Sequence, residues 1–279
     1  MKTSLLSSTS SFRHRFGGIG FLNFCVKLWF VLATIGQWIF AYYIASFYGK
    51  SSLAGDFEKW NKVLPHGYVQ DDWLGNAFVA AHIFLALIMV LGGPIQLIPQ
   101  LRTQFRMFHR VLGRFYIFTA VLIGIDGLVM VWTRGAVGGL LQHIAISVQA
   151  LYIIAFAVLA LRYALQRNFA LHRQWAIRLY LVSSGVWFFR VYLMAWLLLN
   201  GGPAGFDPNT FDGPFLWFLS VLVYALPVSL LVFEMYLKAQ QKTARTLFQI
   251  FTATLILILT VLMGIGIFAA TMGMWLPRV

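Results

Sequence analysis

Apolar residues run along this chain in long blocks separated by short polar connections. The pattern shows neither the two-residue alternation of half-buried strands nor the one-sided stripe of helices on a water-soluble core. Windows of about 20 mostly apolar residues, the length that crosses a bilayer as a helix, fall near 22–48, 74–99, 108–132, 139–163, 174–199, 214–238 and 246–276. This predicts an all-α fold, a polytopic membrane helical bundle of seven transmembrane helices. Two spans carry helix breakers, Gly92-Gly93-Pro94 in the second and Pro227 in the sixth. A kink or local opening is expected at each.

Composition sharpens this picture. Of 279 residues, 60% are hydrophobic and 10% charged, against roughly 25% charged in soluble domains. A soluble fold is excluded. The connections are too short for a second core, so residues 22–279 are expected to form one transmembrane domain with its core bundle at about 74–199. A basic, Ser-rich leader over 1–21 precedes it and is expected to be mobile.

The formal charge of +13 comes from 21 Lys and Arg against 8 Asp and Glu. These cations lie in connections between apolar blocks, which makes them topology signals and excludes nucleic acid as a partner. Alternate connections carry fifteen of them on one side and five on the other, the latter together with Asp56, Glu58, Asp71, Asp72, Asp207 and Asp212. The positive-inside rule then predicts a cytoplasmic N-terminus and an outer C-terminus. Seven spans give the same parity.

The lone Cys25 excludes a disulfide, a covalent haem attachment motif and a thiolate cluster. No nucleotide-binding glycine signature, serine elbow or HExxH motif occurs, so no catalytic residue is assigned. Any cofactor must rely on His or carboxylate ligands.

Ionisable groups inside apolar spans are costly and face a protein interior or a cavity. His82, Asp126, His143, Arg190 and Glu234 are such groups. Counted from the span ends, His82, Asp126 and Arg190 lie roughly 10–14 Å deep in one half of the membrane, and His143 about 6 Å deep. Asp126 and Arg190 are expected to neutralise each other. On span 2, Ala86, Met89, Gly93 and Gln96 share the His82 face, a small-and-polar stripe expected to face other helices.

The opposite half repeats one arrangement. His109 shares a face with Gly113 and Tyr116, and His172 with Ala176 and Tyr180. A small residue one turn above a histidine leaves room for a flat macrocycle or for a neighbouring helix. Arg114 and Arg178, with Arg110 and Arg173, suit haem propionates or lipid headgroups equally. As a set, His82 with His143 and His109 with His172 make one candidate metal-ligating pair per leaflet. A bis-histidine haem b needs two imidazoles at matching depth, about 4 Å apart across the iron. His66 and His14 carry no such argument.

At these residues the chain resembles a bacterial family of predicted membrane proteins, domain of unknown function 2306. The resemblance rests on His82 with GGPIQLIPQLR (Gly92 to Arg102), on HRVLGRFY (His109 to Tyr116) and on LHRQWAIRLYLVSSGVWFFRV (Leu171 to Val191), and it covers about 75–195. It implies the bacterial inner membrane and a pattern that includes His82, Gln96, His109, Gly113, Arg114, His172, Trp175, Arg178 and Arg190, without a counterpart of His143. A looser architectural similarity is to transmembrane b-type cytochromes, whose four-helix core holds one haem per leaflet.

Three functions follow as expectations. The first is a b-type haem transmembrane electron carrier, with a redox partner at each face. The second is a haem-free protein that binds or transports a small solute or a proton through a His/Asp/Arg pocket containing the buried polar residues Asp126, Arg190 and Gln96. The third is a structural subunit of a membrane complex. The lipid bilayer is a partner in all three, and the oligomeric state is left open.

Overall fold

The computed structural model describes residues 17–64, 66–135 and 138–279; most of the expected leader lies outside them. Helix α1 (Gly18–Leu53) is followed by a 3-10 helix (Phe57–Lys62), α2 (Trp73–Leu97), the short α3 (Pro99–Gln104), α4 (Arg106–Thr133) and α5 (Leu140–Leu165). Then come α6 (Phe169–Ser183), α7 (Gly185–Asn200), α8 (Pro214–Ser220) with a π-helical turn (Val221–Ala225), α9 (Val228–Ala239) and α10 (Thr246–Ala270). Helix continues beyond α10 to Arg278. Among the described residues the β structure is a single bridge between Asp207 and Asp212.

Five helices are long and apolar enough to cross a membrane: α1, α2, α4, α5 and α10 with its extension. Two further pairs qualify jointly, α6 with α7 bent by 49° and α8 with α9 bent by 48°. Counting each pair as one span gives seven. The ends alternate accordingly: Gln240 Nε2 donates to Asn23 Oδ1 at 2.7 Å near the start of α1, and Lys50 Nζ donates to the Val279 carbonyl at 3.1 Å near its finish. Loops 54–72 and 201–213 share the second end, here the acidic end; segments 98–105, 166–168 and 240–245 share the first, the basic end.

The two expected kinks had different outcomes. At Pro227 the span does break, because proline removes a backbone donor and constrains the residue before it. At Gly92-Gly93-Pro94 helix α2 continues to Leu97 and the chain turns only at Ile98, where Pro99 opens α3. The two glycines there serve close packing. A Cβ at Gly93 would stand 2.9 Å from Tyr180 Cδ2 and 3.1 Å from the Tyr116 hydroxyl.

An unexpected break falls at Ser184. Ser183 Oγ and Ser184 Oγ donate to the carbonyls of Leu179 and Tyr180, both at 2.8 Å, a back-bonding that bends helices. Gln149 Nε2 from α5 donates to the Val182 carbonyl at 2.7 Å. The bend divides this span between two cores. α6 joins α2, α4 and α5 around Met89, Tyr116, Ile153, Leu179 and Val182. α7 joins α1 and α10 around Phe40, Tyr43, Trp187, Val191, Met263 and Ile267. α7 also meets the four-helix group, through Val79 of α2 in that core and through Ala145 of α5 beside Phe189 and Leu193.

The contact of α10 with α7 depends on Gly266, where a methyl group would land on the Val191 carbonyl. Gly266→Ala is expected to lower stability by about 1–3 kcal/mol in detergent unfolding, whereas Gly49→Ala, with open space around it, should leave the midpoint unchanged. A wild-type midpoint for Gly266→Ala would disprove this packing.

At the acidic end Arg134, on the last turn of α4, donates to the Asp72 carboxylate, Asn76 Oδ1 and the His66 carbonyl. The Gly75 amide and the Arg134 guanidinium hold the Asp72 carboxyl below its ordinary value. Because this pKa is lower folded than unfolded, the clasp contributes fully above pH 3.8 and is lost as the pH falls through the folded value. Amide hydrogen exchange at Gly75 and Asn76 should therefore accelerate below about pH 4 relative to pH 6, beyond the intrinsic change; unchanged protection would contradict the clasp.

Candidate functional site

The polar residues inside the spans have definite partners. His82 sits about 14 Å along α2 from its first residue, and Asp126 about 10 Å back from the end of α4, so that the two face each other at similar depth. His82 Nδ1 meets Asp126 Oδ2 at 2.8 Å. Asp126 is 7% exposed, while the imidazole keeps 32% of its side-chain surface exposed. The second carboxylate oxygen, Oδ1, is buried with no hydrogen-bond partner. Gly127 lies beside the ring, with a Cβ there 3.6 Å from His82 Cε1.

The expected Asp126–Arg190 pair does not form. Arg190 Nη1 donates to the Val186 carbonyl of its own helix at 3.3 Å, and its guanidinium lies over the Phe40 ring at 5.8 Å. It faces α1, whose Phe40 shares a core with Trp187 and Val191 of α7. Arg178 is also committed: Nε and Nη2 reach Glu234 Oε1 at 2.9 and 2.6 Å, and the guanidinium lies over Trp175 and Phe233. The charge expected to meet a propionate thus meets a carboxylate of α9.

Gln96 packs its carboxamide where a Cβ on Gly113 would stand, 3.2 Å from Oε1, and its Nε2 is buried with no partner. Arg114 is exposed on α4. His172 Nδ1 bonds the Ala160 carbonyl of α5 at 2.9 Å, and His109 lies near enough to feel the charge of His172. The His143 ring stands edge-on to Trp132, with centroids 6.3 Å apart. His82 and His143 therefore each have a separate partner on α4.

Beneath the His–Asp pair runs a polar network that sequence reading did not single out. Tyr180 donates to Gln37 Oε1 at 3.2 Å, Gln37 Nε2 to Ser184 Oγ at 2.9 Å, and the Tyr116 hydroxyl meets Ser183 Oγ at 3.1 Å. Gln37 is nearly fully buried in α1. The available signal was a glutamine alone in an apolar run.

A haem would need a slot between α2, α4, α5 and α6. Met89, Tyr116, Ile153, Leu179 and Val182 fill the middle of that group. Two shallow surface depressions lie elsewhere, one lined by Ile35, Trp38, Ile39, Tyr42, Thr271 and Leu276, the other by Gly55 to Glu58 and Tyr68. Among the described residues no three His, Cys, Asp or Glu side chains are grouped to hold a metal ion. The arrangement does not support haem b at the outer pair.

Fold and site together define a multi-pass α-helical integral membrane protein in contact with the lipid bilayer. Residues 79–207 match the model of the family described as "Predicted membrane protein (DUF2306)", which agrees with the resemblance seen at 75–195. No curated protein and no solved structure matches the chain, so the cytochrome likeness has no counterpart there.

A double-mutant cycle separates the observed pairing from the expected one. His82→Ala with Asp126→Ala should couple by about 1–3 kcal/mol in unfolding free energy, and Asp126→Ala with Arg190→Ala by less than about 0.5 kcal/mol. The reverse order would overturn the assignment.

Proposed function

We propose that this is a haem-free protein of the bacterial cytoplasmic membrane whose working centre is the His82–Asp126 pair, taking up and releasing a proton in the half nearer the acidic end. The carrying observation is the 2.8 Å bond between a 7% exposed carboxylate and a partly exposed imidazole. A buried carboxylate bonded to a partly exposed imidazole joins an acid and a base inside one half of the membrane, the arrangement a proton-exchanging centre needs. The exposed ring edge is the route by which the pair meets the acidic end. The fifteen-to-five distribution of cations supports a cytoplasmic basic end and an outer acidic end. The site then opens toward the outside.

Proteoliposomes with an entrapped pH-sensitive dye provide the test. After an imposed pH step, wild-type protein should collapse the gradient faster than protein-free liposomes, and Asp126→Asn and His82→Gln should slow it by about tenfold or more. Equal rates for wild type and Asp126→Asn would remove the proton function.

A second reading, haem b at the inner pair, is favoured by one observation. His172 Nδ1 is engaged by a backbone carbonyl, the anchoring that leaves Nε2 to a metal. A Soret band in protein from haem-replete cells, lost in His172→Ala, would establish it in place of the first reading.

A further inference from the structure

The basic end of α4 has an arrangement that topology signalling does not require. Arg106, Arg110 and Arg114 follow one another at four-residue steps inside the helix and not in the connection before it. On an ideal helix they form a stripe about 80° wide that rises about 12 Å into the span. All three are exposed, and none has an ion-pair or side-chain hydrogen-bond partner among the described residues. Beyond Arg114 the stripe continues around α4 into exposed apolar residues, Ile125 50%, Phe118 61% and Leu122 38%, with Phe115 49% at their far edge. A cationic band therefore abuts an acyl-length apolar track on one helix face.

No protein carboxylate is available to neutralise the band. Six of the 8 acidic residues lie in the loops of the acidic end, Asp126 faces His82, and Glu234, the one toward the basic end, is taken by Arg178. Residues 1–16 contain no Asp or Glu. Arginines near a helix end extend their guanidinium groups to the headgroup level, where a lipid anion meets them.

We propose that this face of α4 is a binding site for an anionic phospholipid of the leaflet at the basic end. The phosphate would lie among Arg106, Arg110 and Arg114, and one acyl chain would run along Phe115, Phe118, Leu122 and Ile125. Guanidinium forks match phosphate oxygens in pairs. A zwitterionic headgroup is disfavoured, because its ammonium would enter a cationic band with no carboxylate to receive it.

The test uses the full-length protein in neutral detergent, titrated with dioleoylphosphatidylglycerol, dioleoylphosphatidylcholine or inorganic phosphate and read by native mass spectrometry. Each arginine should contribute about fivefold to phosphatidylglycerol affinity. The Arg106→Gln, Arg110→Gln, Arg114→Gln triple variant should then bind the anionic lipid no better than the zwitterionic one. Lys59→Gln with Lys62→Gln, at the acidic end, should leave the preference intact. If the triple variant does not fold, Arg110→Gln alone should still weaken phosphatidylglycerol binding about fivefold. Equal affinity of the wild type for both lipids, unchanged affinity in the variants, or displacement of the lipid by equimolar inorganic phosphate would overturn the proposal.

Discussion

A carbonyl freed from its helix inside a bilayer has no water to turn to, and each such group left unmet costs several kcal/mol. The bend at Ser184 meets that constraint. Ser183 and Ser184 hydroxyls take the carbonyls of the preceding turn, and the Gln149 carboxamide reaches across from α5 to the Val182 carbonyl. Gln37 of α1 then ties Ser184 to Tyr180. With the broken turn satisfied in this way, one span serves two cores. Its first half closes the α2, α4, α5 group and its second packs with α1 and α10. Arg178 lies beside α9 and Arg190 beside α1.

The same scarcity governs the charges. Eight acidic residues are present against 21 basic ones, and the two placed within helical spans each meet a specific partner. Asp126 meets His82, and Glu234 meets Arg178. The partner of Asp126 differs from the one that depth alone suggested, because depth orders residues along the membrane normal and says nothing of azimuth. Arg190 lies at a suitable level but faces α1. Its guanidinium is left with a backbone carbonyl and the face of Phe40, a weaker environment that nonetheless keeps it out of lipid.

The histidine pairs show the corresponding limit. His172, near the start of α6, bonds the Ala160 carbonyl of α5. His82 and His143 each turn to α4 instead, toward Asp126 and Trp132. Gly113, expected to leave room for a macrocycle or a neighbouring helix, meets the Gln96 carboxamide, and Gly93, on the stripe expected to face other helices, meets Tyr180 and Tyr116. In a membrane core, where apolar burial gives no net drive for helix association, close approach at small residues is the principal source of attraction. Such residues are filled by neighbours more often than kept open.

Periodicity, composition and the alternation of charge were enough to determine the helical class, the span positions to within a few residues, and the break at Pro227, because hydrocarbon thickness and proline geometry act on local sequence. The resemblance at about 75–195 was legible for the same reason, in contiguous motifs, and the family model matches 79–207. The pairing of His82 with Asp126, the transfer of Arg190 to α1 and the bend at Ser184 were decided only in three dimensions. Each depends on the rotation of one helix about its axis relative to another, and that angle is set by the packing of Gly93, Gly266, Tyr116 and Tyr180 and not by any residue's own preference.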